Sequence, residues 1–218
     1  MVKAYNTIFD IRDYGASADG KTLCSSTIQA AIDACRDCGG GTVLVSQGKY
    51  LTGTIQLYSG ITLQLDRGAT LLGSPDFRHY RDLGTPDNTS IYCTPIIADY
   101  PTQAIIFAKD AENFAIIGGG KIDGQGQWGR YFPNPEDINQ VRPSGIILEN
   151  CEKVAIRDIS INNTAFWSTR FVMCKEMTIS GVRIHSLQSG NGDGLDFVGG
   201  ENITVSDCII KAGDDCIS

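Results

Sequence analysis

The second half of the chain repeats one pattern of short alternating strands, and this repeat limits the possible folds more than any other feature. The repeated segments are EKVAIRDISI (152–161), EMTISGVRIH (176–185), NITVSDCIIK (202–211) and an earlier copy, NFAIIGGGKIDG (113–124). Equivalent positions are 23 residues apart from Ile156 to Ile179 and 26 residues apart from Ile179 to Val205. Repeats of this length that contain strands and glycine turns but no helix are typical of β-helix coils.

We therefore predict an all-β fold, a right-handed parallel β-helix that forms a single domain over residues 1–218. A single coil cannot bury its own apolar face, so the coils must stack at the strand spacing of about 4.8 Å. An α/β fold is excluded because helices do not alternate with the strands. A β-sandwich would fit the number of strands but not the long repeat.

One helix is predicted in the region 22–39, and we expect it to cap the apolar end of the stack. The segment Ser26-Thr27-Ile28-Gln29 fits a capping box. The apolar residues that would share one helical face are Ile28, Ala31, Ile32 and Cys35. Three glycines, residues 39–41, are expected to end the helix.

Two segments, 74–103 and 125–144, interrupt the repeat. Both are rich in Pro, Asp, Asn and Tyr. We predict that they form loops that project from the coil as the walls of a cleft.

Charge and hydropathy exclude two classes of partner. The net charge is −7, whereas a nucleic-acid-binding surface needs clustered Lys and Arg. No apolar stretch approaches the length of a transmembrane helix, so we predict neither a nucleic-acid nor a membrane partner. The N-terminus lacks the apolar core of a signal peptide, which leaves two alternatives: a cytoplasmic protein, or a secreted one whose signal was removed before residue 1. The composition does not define an oligomeric state.

Several short motifs favour structural roles. Gly124–Gly129 matches GxGxxG, but Pro133 and Pro135 follow where a nucleotide-binding fold needs a helix. The pair Cys35 and Cys38 has CxxC spacing without a second CxxC, which favours small buried side chains over a zinc or redox site. The sequons that begin at Asn88, Asn162 and Asn202 favour polar turns and ladders, and His79 and His185 lack metal-ligand partners in the sequence.

The carboxylates near the end of the chain form a more informative pattern. The segment GDGLDF (192–197) aligns with GDDCIS (213–218), so that Asp193 and Asp214 are 21 residues apart, close to one coil. We predict that Asp193, Asp214 and Asp215 cluster on one outer face, with a backbone bend at Gly213. Carboxylates this close cannot all ionise, and one of them should keep its proton near neutral pH. A glycosidase needs such an acid and base, although the spacing alone also fits a solvated acidic turn or a calcium site.

At these residues the chain resembles the polygalacturonase family of glycoside hydrolases, the pectin-degrading family 28. The resemblance covers nearly the whole chain. Its segments are FDIRDYGASADGKTLCSSTIQAAIDAC, GGGTVLVSQGKYLTGTIQLYSGITLQLDRGATLLGS, IIGGGKIDGQGQWG and FWSTRFVMCKEMTISGVRI. The family's Asn-Thr-Asp motif corresponds to Asn191-Gly192-Asp193, and its Gly-Asp-Asp-Cys motif is intact at 213–216.

The resemblance implies a right-handed parallel β-helix and an inverting hydrolase. Asp214 would be the general acid, and Asp193 and Asp215 would hold and activate the attacking water. Inversion implies roughly 6.5–9.5 Å between acid and base. The substrates would be α-linked galacturonans or rhamnogalacturonans, no cofactor or metal would be needed, and Asn191 is predicted to contact the substrate.

Two departures from the family pattern qualify these expectations. Gly192 replaces the usual Thr, which we expect to loosen the backbone beside Asp193. The family's later His-Gly and Arg-x-Lys motifs do not follow the paired aspartates within the sequence. We therefore expect the chain to be the N-terminal part of a longer protein and to be inactive alone.

Two alternative functions remain at this stage. A β-helical polysaccharide lyase would use Asp214 and Asp215 to bind calcium and an Arg as base. A non-catalytic solenoid that binds glycans would need no acid–base cluster, so the aligned aspartates argue against it.

Overall fold

A computed structural model describes residues 7–83, 103–127 and 142–218. Its strands, in chain order, are β1 (Ile8–Asp10), β2 (Asp19–Leu23), β3 (Gly41–Val45), β4 (Gly48–Thr52), β5 (Ile55–Gln56), β6 (Ile61–Leu65), β7 (Ala69–Gly73), β8 (Ala104–Lys109), β9 (Glu112–Gly118), β10 (Lys121–Asp123), β11 (Ser144–Glu149), β12 (Glu152–Arg157), β13 (Ser160–Asn162), β14 (Thr169–Ser180), β15 (Arg183–Ser186), β16 (Leu195–Ser206) and β17 (Ile209–Ala212). Among these residues the one α-helix is α1 (Ser25–Asp37), and the two short 3-10 helices are Ile11–Tyr14 and Phe77–His79.

The strands stack in three parallel columns, which are the faces of a β-helix. Face A contains β5, β8, β11 and the starts of β14 and β16. Face B contains β1, β3, β6, β9, β12 and the ends of β14 and β16. Face C contains β2, β4, β7, β10, β13, β15 and β17.

The register of face B follows the sequence repeat. Ile156 pairs with Ile179, and Ile179 pairs with Val205, at the spacings of 23 and 26 residues seen in the sequence. Ile156 and Ile179 are buried, and the alternate residues point outward, as the period of two requires. One column of apolar side chains therefore runs through the stack and supplies the core.

Successive coils turn the corner between faces A and B in the same way. The corner residues have a left-handed backbone and are Asp110, Asn150, Met173 and Gly199. The Nδ2 of Asn150 donates a hydrogen bond to Oδ1 of Asp110 at 2.6 Å. Asn, Asp and Gly tolerate this conformation better than other residues, and three of the four corner residues are of these types, with Met173 the exception.

Helix α1 lies within the predicted region and packs against the strands of the first coils. Its buried residues are the four that were predicted: Ile28, Ala31, Ile32 and Cys35. The predicted capping box is wrong, because the N-cap is Cys24, two residues before Ser26, and it makes no side-chain cap bond. Gln29 instead bonds the backbone of Gln56 in β5, through Oε1 at 2.8 Å and Nε2 at 3.2 Å.

The glycines of the GxGxxG match pack against the neighbouring coil. The amides of Gly124 and Gly126 donate to the carbonyls of Asn162 and Asn163 at 2.8 and 2.6 Å. A Cβ at Gly126 would clash with the backbone of Ala165. These two glycines are needed for close approach of the coils, and Trp128 and Gly129 lie outside the described residues.

The other short motifs have these positions in the structure. Cys35 is buried, which raises the pKa of its thiol to about 11, whereas Cys38 is exposed and does not fit the predicted pair of buried side chains. Thr164 of the Asn162 sequon is fully buried, and the sequon at Asn88 lies outside the described residues. His79 bonds the hydroxyl of Ser74 at 2.7 Å.

Most of the two predicted loops, residues 84–102 and 128–141, also lies outside the described residues. Among the residues that the structure describes, no helix has the length and apolar character needed to cross a bilayer.

Candidate active site

Three predicted aspartates come together near the end of face A. One carboxylate oxygen each of Asp193, Asp214 and Asp215 lies within 4.8 Å of the other two. Asp193 is in the connection between β15 and β16 and is 7% exposed. Asp214 and Asp215 follow β17 and are exposed. The structure therefore brings together the three residues on which the sequence-based hypothesis rests.

Backbone hydrogen bonds hold the two motifs side by side. The chain bends at Gly213, whose amide lies 2.9 Å from the carbonyl of Ser186 and 3.1 Å from that of Gly192. Leu195 pairs with Ile217 on the next coil, and the amide of Gly194 donates to the carbonyl of Asp215 at 2.9 Å. Paired residues on the two coils are therefore 22 positions apart, one more than the 21 of the predicted alignment. Asp215 rather than Asp214 is level with Asp193.

The expected separation of roughly 6.5–9.5 Å between acid and base is measured between whole carboxyl groups. Their nearest oxygens lie within 4.8 Å. The reason is geometric: Asp214 and Asp215 are adjacent in sequence, and Asp193 is on a coil about one strand spacing, ~4.8 Å, away. The distance between nearest oxygens is shorter than the separation of the carboxyl groups themselves, so the spacing for a water between acid and base stays a prediction.

A fourth acid, Asp196, belongs to the same cluster and was not predicted. It lies between Leu195 and Phe197, which pack into the core, so its side chain points to the outer side of face A. It is nevertheless 3% exposed, and its Oδ2 has no hydrogen-bond partner among the described residues. A signal was present in GDGLDF, where a second carboxylate follows Asp193 after three positions.

Burial and mutual repulsion raise the pKa of two of the four aspartates. The pKa of Asp193 is raised to about 6, first by burial and then by the charges of Asp214 and Asp215. The pKa of Asp196 is raised to about 8, first by burial and then by Asp193, Asp215 and Asp214, against an opposing effect of Arg170. Near neutral pH, the proton expected in this cluster is therefore held mainly by Asp196, outside the predicted trio.

A row of alternating charges leads to Asp196 along face A. Arg170 is its register partner on β14 and is 1% exposed. The Nη2 of Arg170 lies 3.8 Å from Oε1 of Glu149 on β11, and Oε2 of Glu149 lies 3.8 Å from Nζ of Lys109 on β8. Buried charges need opposite partners, and this row supplies a cation next to the acidic cluster.

Asn191, the predicted substrate contact, has a left-handed backbone with a φ of 55°. Its Oδ1 accepts a hydrogen bond from Nη2 of Arg142 at 3.0 Å. The role of Asn191 as a substrate contact stays a prediction.

Gly192 does not loosen the chain as expected. A Cβ at this position would lie 2.6 Å from the carbonyl oxygen of Ser186 and 2.9 Å from Oγ of Ser189. The segment before Asp193 is packed closely against the end of β15, and glycine is the residue that fits this approach.

Comparison with known proteins agrees with the fold. Residues 35–218 match the family of glycosyl hydrolases family 28. The chain is 29% identical over 258 residues to an exo-poly-alpha-D-galacturonosidase of Dickeya chrysanthemi, covering 97% of this chain and 41% of that protein. It is 27% identical over 219 residues to an exopolygalacturonase of Zea mays, covering 96% of this chain and 48% of that one.

Among solved structures, the family 28 exopolygalacturonase of Yersinia enterocolitica superposes with a TM-score of 0.82 at 26% identity. The superposition covers 97% of this chain and 44% of that chain. The predicted right-handed parallel β-helix is confirmed. The chain belongs to glycosyl hydrolases family 28, and it spans less than half the length of these three relatives.

Proposed function

We propose that the protein carrying this chain is a glycosidase that hydrolyses α-linked galacturonan of the pectin type. The observation that carries the proposal is the cluster of Asp193, Asp214 and Asp215 within 4.8 Å, on motifs that match those of the family. Hydrolysis of a glycosidic bond needs one carboxyl group to protonate the leaving oxygen and another to activate water. A galacturonan or a rhamnogalacturonan would satisfy this chemistry.

In this proposal Asp214 is the general acid, and Asp193 and Asp215 hold the attacking water. Asp214 and Asp215 are exposed, so that substrate can reach them, whereas Asp193 lies deeper. Oxygens within 4.8 Å of one another suit a water held by the two carboxylates of Asp193 and Asp215. The reaction would then invert the anomeric configuration.

The first prediction concerns the acid. Asp214→Asn should lower kcat by roughly 10²–10⁴-fold, because the amide is nearly isosteric but cannot donate an acidic proton. The measurement is reducing-sugar release from polygalacturonate by the natural-length protein, with circular dichroism to verify the fold. Asp207→Asn is the matched control, since Asp207 is exposed at the turn that follows face B. A turnover within a few-fold of the wild type would exclude Asp214 as the acid.

A second candidate function has a specific observation in its favour. Three carboxylate oxygens within 4.8 Å also suit a calcium ion, and a calcium-dependent lyase of this fold would form unsaturated uronates. Addition of a chelator separates the two: hydrolysis by the proposed mechanism should be unaffected, whereas a lyase should lose its activity.

A further inference from the structure

Arg142 is a buried cation that forms hydrogen bonds with the residues immediately before Asp193. It lies two residues before β11 begins and is 4% exposed. Its Nη1 donates to the carbonyl of Gly190 at 2.7 Å, and its Nη2 donates to Oδ1 of Asn191 at 3.0 Å. The planar guanidinium fork is suited to such paired contacts. It therefore fixes two consecutive residues whose chain continues directly to Asp193.

The same guanidinium is connected to Asp193 from a second side. It lies over the ring of Phe166, at 4.8 Å from the centroid, and Phe166 stacks on Trp167 at 5.3 Å. The next residue, Ser168, donates its amide to the carbonyl of Asp193 at 2.8 Å. The side chain of Arg142 thus contacts both the segment that leads to Asp193 and the segment, 166–168, that bonds the carbonyl of Asp193.

Asp193 depends on such support from the backbone. Its Oδ1 is buried and has no hydrogen-bond partner among the described residues. The side chain is therefore not anchored at that oxygen, and its place opposite Asp214 and Asp215 follows from the path of residues 190–193. In that path Asn191 has a left-handed φ and Gly192 is tightly packed, so a small shift would move the carboxylate.

We propose that Arg142 is a positioning residue that acts through Asn191 to hold Asp193 in register with Asp214 and Asp215. This role of Arg142 rests on the proposed function where enzymatic activity is used to test it. A displacement of about 1 Å in a catalytic group can lower the rate about 10²-fold, and this is the kind of error that the Arg142 contacts prevent.

The kinetic test is a double-mutant cycle in the natural-length protein. Arg142→Met removes the fork, and Asn191→Gly removes its acceptor while tolerating the left-handed backbone. Each should lower kcat on polygalacturonate by about 10–100-fold, and Arg142→Met should do so with little change in KM. Because one acts through the other, the double variant should be no slower than the slower single variant. Arg142→Lys keeps the charge and one donor, so it should recover part of the loss.

The control is Arg157→Met, which changes an exposed arginine at the end of β12 and should leave kcat unchanged. A purely structural role for Arg142 would give losses that multiply in the double variant and that follow the melting temperature. That result, or a kcat for Arg142→Met within two-fold of the wild type, would overturn the proposal.

A second measurement does not depend on activity. Amide hydrogen exchange in Arg142→Met and Arg142→Lys should be faster over residues 190–193, with β14 unchanged. If the wild-type protein cleaves no galacturonan, the proposed function fails. The exchange experiment still shows whether Arg142 holds residues 190–193 in place. Unchanged exchange over residues 190–193 in Arg142→Met would overturn the positioning role even in an active enzyme.

Discussion

Asp193 and Asp196 are three residues apart, yet their positions in the cluster differ. Asp193 lies beside Asp214 and Asp215, whereas Asp196 is the register partner of Arg170 on the outer side of face A. Both side chains are buried, and burial is the largest cause of the raised pKa of each. At the residue scale, the site is thus an acidic cluster whose deepest member retains a proton near neutral pH.

A prediction for protein stability follows from Asp196. Its pKa is about 8 in the folded protein, against 3.8 for an ordinary aspartate. Between these values the folded protein binds more protons than the unfolded chain, so the free energy of unfolding should fall as pH rises from about 4 to about 8. Asp193, with a pKa of about 6, adds to the fall over the lower part of this range. The thermal midpoint should therefore decrease by several degrees from pH 5.5 to 8.5.

Asp196→Asn should reduce this dependence, because an amide does not ionise. The variant should melt closer to its pH 5.5 temperature at pH 8.5, and it should be more stable than the wild type there. The measurement is thermal unfolding across this pH range, with Asp207→Asn as the control. Equal pH dependence in the wild type and in Asp196→Asn would contradict the assignment of the raised pKa.

At the scale of single elements, the fold is determined by features of two kinds. Apolar alternation builds the strands, and polar or glycine residues with left-handed backbones form most of the corners, with Met173 an exception. The alternation predicted the pairing of Ile156, Ile179 and Val205 correctly, because every coil must bury the same face. Helix α1 was predicted for the same reason. The prediction of its N-cap was wrong, and Gln29 bonds the backbone of Gln56, 27 positions along the chain, instead of the helix N-terminus.

The site was less predictable than the strands. Asp193, Asp214 and Asp215 were found because two local motifs align. Arg142 and Arg170 carry no such signal: Arg142 contacts Asn191 over a separation of 49 residues, across a coil whose length the sequence does not define. The one-residue error in the register of Asp214 has the same origin, since eight residues separate Ser186 from Leu195 but only four separate their partners Ala212 and Ile217.

The glycines of the 124–129 motif give a test at this scale. Gly126→Ala should destabilise the protein by about 1–3 kcal/mol, because overpacking against the backbone of Ala165 forces a local shift. Gly119→Ala is the control, since a Cβ there comes no closer than 3.4 Å to a neighbouring atom. The measurement is urea unfolding of both variants. Equal stability of Gly126→Ala and the wild type would show that the coils can separate at this point without cost.

For the whole molecule, the stacked coils act as the scaffold that brings distant acids together. Face A ends in the cluster, and the bend at Gly213 places two adjacent aspartates beside the coil below. The row of charges from Lys109 through Glu149 to Arg170 runs across three neighbouring strands of the same face, and Asp196 lies beside Arg170 on the fourth strand. The geometry of the acidic cluster is therefore a property of coil stacking, and the proposed hydrolysis depends on it.

The most direct test is the anomeric configuration of the first product that the natural-length protein releases from polygalacturonate. Proton NMR during the first minutes should detect a saturated uronate in the β configuration, because an inverting hydrolase opens an α-linkage with a single attack by water. An α product would contradict the assignment of Asp193 and Asp215 to the water. An unsaturated uronate would show elimination in place of hydrolysis, and the proposed function would then be wrong.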